Sequence, residues 1–397
     1  MGDTQKHTKP NVPNLRFPGF EGEWETKKLS AYLYENKERN RNGEFNKSDV
    51  LSVSGDCGIV NQIELLGRSF AGKSVADYHV VRTGDIVYTK SPLKEYPYGI
   101  VKYNNGNDGI VSTLYAVYHH QDNVDGQFVE YYFSNPQRTN RYFKPIVRIG
   151  AKHDMKIGNE EVLDNYVIFP GLKEQRRIAE MLSLLDERIS IQNKVIEDLK
   201  KLKTALCEQL YNEHNPNSHI GDLIEQKSIR NRVGEDLKVL SVSNRYGFIE
   251  QSEQFEDLTV ASEDTSNYKI VSLNDFAYNP ARINVGSVAR LKYFDKGIVS
   301  PMYICFHCKD NVRPEFLEHF FSTKFFYLEM EKRLEGSVRM CLSFEGMCNI
   351  PIHIPSYEMQ MDIGKKITVL NDKLGLEESY SKNLKIHKQY LLSQLFI

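Results

Sequence analysis

Residues 170–189, PGLKEQRRIAEMLSLLDERI, and residues 355–374, PSYEMQMDIGKKITVLNDKL, are two versions of one stretch. They lie 355 − 170 = 185 residues apart, a little under half of the 397-residue chain. In each, a proline ends a β-rich run, and apolar residues then recur every three to four positions, the period of one helix face. From Ile178 the first seam runs through Leu182, Leu185, Ile189, Ile196, Leu199, Leu206 and Leu210, with polar Gln192 and Lys203 interrupting it. The second runs through Ile363, Ile367, Leu370, Leu374, Leu384, Leu391 and Leu395, interrupted by Glu377 and Ser381. Seams sustained over about 40 residues, or about 60 Å of helix, point to coiled-coil pairing of two equally long helices.

Outward from these helices the self-similarity continues. VLSVSGDCGIVNQ (50–62) matches VLSVSNRYGFIEQ (239–251), and YHVVRTGDIVY (78–88) matches YKIVSLNDFAY (268–278). GIVSTLYAVYH (109–119) matches GIVSPMYICFH (297–307), and FVEYYFS (128–134) matches FLEHFFS (316–322). Collinear matches of this kind mark a tandem duplication. The β-branched and aromatic runs between Gly, Asn and Asp turns read as strands, with intervening helices at 128–143 and 314–334. The chain accordingly divides into an N-terminal segment (1–21), a first head (22–170), a long helix (171–214), a second head (215–355) and a second long helix (356–397). The expected fold is α+β: two tandem pseudo-symmetric α/β heads separated by two long antiparallel coiled-coil helices.

Composition narrows the function classes. With 40% hydrophobic and 26% charged residues the chain reads as an ordinary soluble protein, and no apolar run reaches membrane-span length. The first ten residues lack a secretory apolar stretch, so a cytoplasmic location is expected. Six unevenly spread cysteines do not form a disulfide framework. A net charge of −2 excludes a uniformly basic surface, so any nucleic-acid site must be local.

Three motifs resemble chemistry without its context. Gly67 to Ser74 satisfies G-x-x-x-x-G-K-S, but a phosphate-cradling loop needs a strand before it and a helix after it, and an alternating run follows. A nucleotide hydrolase built on that loop is the enzyme alternative. Asn279-Pro280 lacks the second proline and aromatic of an amine-methylating motif and reads as a turn. Cys305 and Cys308, with Cys341 and Cys348 elsewhere, supply no second C-x-x-C for zinc, and no metal is expected. No catalytic constellation stands out. A third reading is a coiled-coil adaptor that binds only protein.

Polar and basic residues instead fill variable places in the repeated frame. The first head offers 36–41, Lys90 to Lys94 and the basic run Arg138 to Lys152; the second offers Arg230 to Arg232, Arg282, Asn284, Arg290 and Arg339. Asn40-Arg41 and Asn231-Arg232 match each other. Cations neutralise phosphates, and Arg, Lys and Asn at fixed geometry read base edges.

NVPNLRFPGFEGEWETKKL (11–29), YNPARINVGSVA (278–289) and EQRRIAEMLSLLDERI (174–189) resemble specificity (S) subunits of type I restriction–modification enzymes. The resemblance implies two DNA target-recognition domains, each reading one half of a bipartite site in double-stranded DNA. It implies helices that set the spacing and dock two modification (methyltransferase) subunits, joined by two restriction (motor-nuclease) subunits. S-adenosylmethionine, ATP and Mg would then belong to those partners, and this chain would hold no catalytic residue. Lys90, Lys94, Arg148, Lys152, Arg282, Asn284 and Arg339 are the expected DNA contacts.

Overall fold

A computed structural model describes residues 10–149, 155–212, 215–244, 246–251, 265–336 and 339–397. It resolves into two compact units, 1–192 with 380–397, and 193–379. Each unit holds one head, part of the long helix Leu172–Asn212 and part of the long helix Tyr357–Gln394.

The first head is built on an antiparallel sheet ordered Leu33–Glu35, Ala116–His120, Ile86–Tyr88, Val101–Tyr103. The second repeats that order with Ile224–Lys227, Ile304–Cys308, Phe276–Tyr278 and Val288–Arg290. Even the register repeats: Ile86 faces Tyr118 as Phe276 faces Phe306. The central strands are buried on both faces, which is why IVY and FAY read as continuous apolar runs rather than alternating ones. The VLSVS repeats are strands too. Leu51–Ser54 turns into Gly58–Asn61, and Val239–Ser243 turns into Gly247–Glu250. Gly58 and Gly247 both take a positive φ, 71° and 70°, so the shared glycine serves the turn backbone.

An aspartate opens each central strand. Asp85 Oδ2 accepts the Arg82 N–H at 2.8 Å, and Asp275 Oδ2 accepts the Ser272 N–H at 2.6 Å. Their second partners differ: His119 Nδ1 lies 2.5 Å from Asp85, whereas Lys227 Nζ lies 2.5 Å from Asp275. The frame is common and its filling is not.

The helical stretches expected at 128–143 and 314–334 each break in two. Gly126–Phe133 is followed by Pro136–Phe143, and Pro314–Phe320 by Lys324–Glu331. Asn135 and Thr323 cap the second helices by accepting the N–H of Arg138 and Phe326. Aromatic rings close the cores: Phe143 of the second helix stacks on strand residue Tyr88 in one head, and in the other Phe321 packs edge-on against strand residues Phe276 and Phe306 and against Phe326 of the second helix.

Within each unit the two helix segments run antiparallel. In the first, Ile178, Ala179 and Leu182 share a core with Leu392, Leu395 and Phe396, and Lys388 Nζ sits 2.5 Å from Asp186. In the second, Cys207 and Tyr211 share a core with Ile363 and Ile367, and Lys200 pairs with Glu378 at 2.6 Å. Of the seam residues, Ile178, Leu182, Ile196, Ile363, Ile367 and Leu395 are buried; Leu185, Ile189, Leu199, Leu206, Leu210, Leu370, Leu374, Leu384 and Leu391 are half-buried. The polar interruptions Gln192 and Ser381 are buried among them.

One device fastens each helix start to its head. Gln175 accepts the Asp125 N–H at 3.0 Å and donates to the carbonyls of Pro170 and Asn123. Gln360 accepts the Arg313 N–H at 2.8 Å and donates to the carbonyls of Pro355 and Asn311. The same buried amide thus satisfies three equivalent backbone groups in both units.

Candidate nucleic-acid interface

In the second head the VLSVS strand, its turn and the loop after Tyr278 enclose a cleft of 660 Å³. Asn244, Asn279, Arg282, Met302 and Arg339 are among its lining residues, and no described lining residue is acidic. Asn279 Oδ1 accepts the Ala281 N–H at 3.1 Å, an Asx turn that presents Arg282. Arg282 and Arg339 are exposed and meet no carboxylate among the described residues. In a chain with 53 acidic residues, two guanidiniums that face a cleft with no acid among its described lining residues form a local anion-attracting site. Asn284 is exposed one turn further on and does not line the cleft.

The first head distributes its candidates differently. Lys94 is exposed in the loop after Thr89. Arg148 is exposed on a short strand and lies directly opposite Lys156, also exposed. Like charges so placed repel, and an anion would relieve them. Lys90 is half-buried, and its ammonium bonds inward to the carbonyl of Ile157 at 3.0 Å and to Asn159. Burial lowers its pKa. Lys152 lies outside the described residues.

Several basic residues of the expected set have structural duties instead. Arg138 is buried and donates to the carbonyls of Tyr132, Leu392 and Ile397. Arg290 is buried between Glu315, Glu318 and Asn274. Asn40 and Asn231 are also buried, and each ties its own loop, to Phe45 and to Glu235. Sequence spacing does not distinguish a buried arginine from an exposed one; only the packing around it does.

The P-loop match has the wrong surroundings. A five-residue helix, Gln62–Leu66, precedes it, Gly67 ends that helix at φ 74°, and the next regular element is the strand His79–Val81. Cys305 and Cys308 have their thiols pushed up to about 12 by burial, so they are inert apolar groups at neutral pH. Among the described residues no group of three or more His, Cys, Asp or Glu could hold a metal, and no helix is long and apolar enough to cross a membrane.

The helix surfaces carry a repeated feature outside the seam. In the first unit Leu184 and Ile191 are 59% and 51% exposed, with Arg188 between them and the Arg188 guanidinium 5.7 Å from the Tyr380 ring. In the second, Val369 and Leu376 are 61% and 69% exposed, with Lys373 between them. Each pair is separated by 185 residues, the helix offset itself. An apolar–cation–apolar stripe is therefore duplicated on solvent-facing helix surface.

Together these features define a tandem-repeat protein with two α/β heads, each fastened to a pair of antiparallel helix segments. No family model matches the sequence, and no curated protein is similar to it. Solved structures do share its fold. The type I restriction–modification S subunit of M. genitalium aligns over 97% of this chain and 99% of its own, with TM-score 0.60 and 14% identity. A chain from a structure describing complex assembly and conformational transition of the type I restriction–modification system aligns over 97% and 99%, with TM-score 0.50 and 15% identity. The HsdS subunit of Thermoanaerobacter tengcongensis aligns over 96% and 97%, with TM-score 0.45 and 15% identity. The chain has the fold of a type I restriction–modification S subunit.

Proposed function

We propose that the chain is the DNA-specificity subunit of a type I restriction–modification complex, without a catalytic centre of its own. Each head reads one half of a bipartite site, and the long helices set the gap. The cleft of the second head carries this reading: its frame repeats in both heads, whereas Arg282 and Arg339 stand in the part that differs, with no described acid to neutralise them. Lys94 and Arg148 are the corresponding contacts of the first head. The duplicated stripes on the helices suit two copies of one partner, here the methyltransferase subunit. S-adenosylmethionine, ATP and Mg belong to the partners, including two restriction subunits, and the complex works in the cytoplasm.

The test is co-expression with methyltransferase subunits, followed by mapping of modified adenines. A bipartite motif is expected, and Arg282→Ala or Arg339→Ala should relax one half of it by about 1–3 kcal/mol per lost base contact. A continuous motif, or none, overturns the proposal. The protein-only adaptor reading requires that assembled complexes show no sequence-dependent retention of DNA.

A further inference from the structure

The stretch that imitates a P-loop does something else with its residues. Leu66 and Phe70 are 52% and 58% exposed, with Leu65 also exposed beside them. Phe70 is held in place rather than loose. Gln62 Oε1 accepts the Phe70 N–H at 2.7 Å and also takes the Ser69 hydroxyl at 3.4 Å. Gln62 itself closes the repeated VLSVS frame, so the hairpin carries the presentation. The Arg68 guanidinium lies 4.6 Å from the Phe70 ring centroid, and neither Arg68 nor Lys73 meets a carboxylate among the described residues. Asn40 ties the far end of the loop down by donating to the Val75 carbonyl at 3.3 Å. A fixed apolar tip with an unpaired guanidinium at its ring and an exposed lysine three residues on is costly in water unless something apolar and anionic meets it. A base step within the phosphate backbone is such a partner: cations take the phosphates while an aromatic or aliphatic wedge enters the stack.

We propose that Phe70, flanked by Leu66, Arg68 and Lys73, wedges into a base step of the half-site bound by the first head. The inference rests on the DNA-reading function and adds a distortion to it. It is confined to one head. The equivalent stretch of the second, 252–264, has five carboxylates and no Lys or Arg.

The test uses the full chain assembled with methyltransferase subunits, on duplexes of the mapped site with 2-aminopurine scanned through both halves. Enhanced fluorescence is expected at one step of one half only. Phe70→Ala should abolish it and weaken binding roughly tenfold, the loss typical of one stacked base, while Phe70→Trp retains both. Binding with no step-specific enhancement, or enhancement that survives Phe70→Ala, overturns the wedge alone. If the complex binds no bipartite duplex, wedge and DNA-reading function fall together. A Phe70→Ala chain that binds DNA normally but loses its subunits would assign the tip to a protein contact and overturn the wedge.

Discussion

Arg138 and Phe326 occupy the same place in the two units, 326 − 138 = 188 residues apart, each third in a helix capped by Asn135 or Thr323. One is a buried cation and the other a buried ring. The reason lies in the helix each faces. In the first unit the helix ends at Gln394, so the carbonyl of Leu392 is among the last four and has no partner within the helix. Arg138 supplies it, together with the carbonyls of Ile397 and Tyr132. In the second unit the matching residue is Cys207, and the helix continues to Asn212. The Cys207 carbonyl is inside the helix and needs no donor, and an apolar ring stands in the core that Cys207 shares. A duplicated fold can thus exchange charge for bulk when the backbone it meets changes its hydrogen-bonding state.

Exchanging the two residues breaks this comparison most severely. Phe326→Arg buries a cation among apolar rings and should cost more than about 4 kcal/mol, unfolding the second head. Arg138→Phe leaves buried carbonyls unpaired and should cost about 3 kcal/mol. Chemical denaturation of each variant, with fluorescence reporting overall unfolding, checks the order. A Phe326→Arg chain as stable as the parent would remove the argument.

The amide clamps sharpen the comparison from the other side, because here the units agree. Gln175→Ala and Gln360→Ala each orphan one N–H and two carbonyls, and both should cost about 2–3 kcal/mol. Unequal losses would show that the two helix starts are not fastened alike. Next in size is the response to acid. His79 and His319 are both buried, and desolvation lowers each to about 4. The unfolded imidazole protonates near pH 6.5, above the folded one, so stability is complete above that pH and falls between about 6.5 and 4. Replacing both by leucine should flatten the melting temperature across that window. An unchanged pH profile would show that these imidazoles are solvated.

The smallest effect marks where the units part. Arg16 holds Glu174 through two bonds of 2.8 Å and also donates to the carbonyls of Glu21 and Gly22. The position matching Glu174 is the exposed Met359, which no such arm covers. Glu174→Ala should cost about 1–2 kcal/mol, while Met359→Ala stays within about 0.5 kcal/mol. Melting curves that shift equally for both would contradict the asymmetry.

Much of this was legible before the structure. The offset of 185 announced paired helices, and the matched strands announced two heads, because a period of two or 3.6 is written directly in side-chain order. The basic residues were a different matter. Lys90, Arg138 and Arg290 read like Lys94, Arg148 and Arg282 in sequence, yet three turn inward to carbonyls, amides and carboxylates and three face solvent. Gln175 and Gln360 did carry a signal, since they match at the helix offset, but only their geometry shows what they hold. The exposed stripes are likewise matched at the helix offset, but sequence alone does not show which helix face is left uncovered.

By itself the sequence determined the duplication, the element types and the apolar faces, since these depend on periodicity and on local backbone preference. Which polar residues serve the fold and which remain free for a ligand was decided only by the tertiary structure. That assignment depends on whether a distant backbone group, such as the carbonyl of Leu392 beside Arg138, arrives already hydrogen-bonded or in need of a donor.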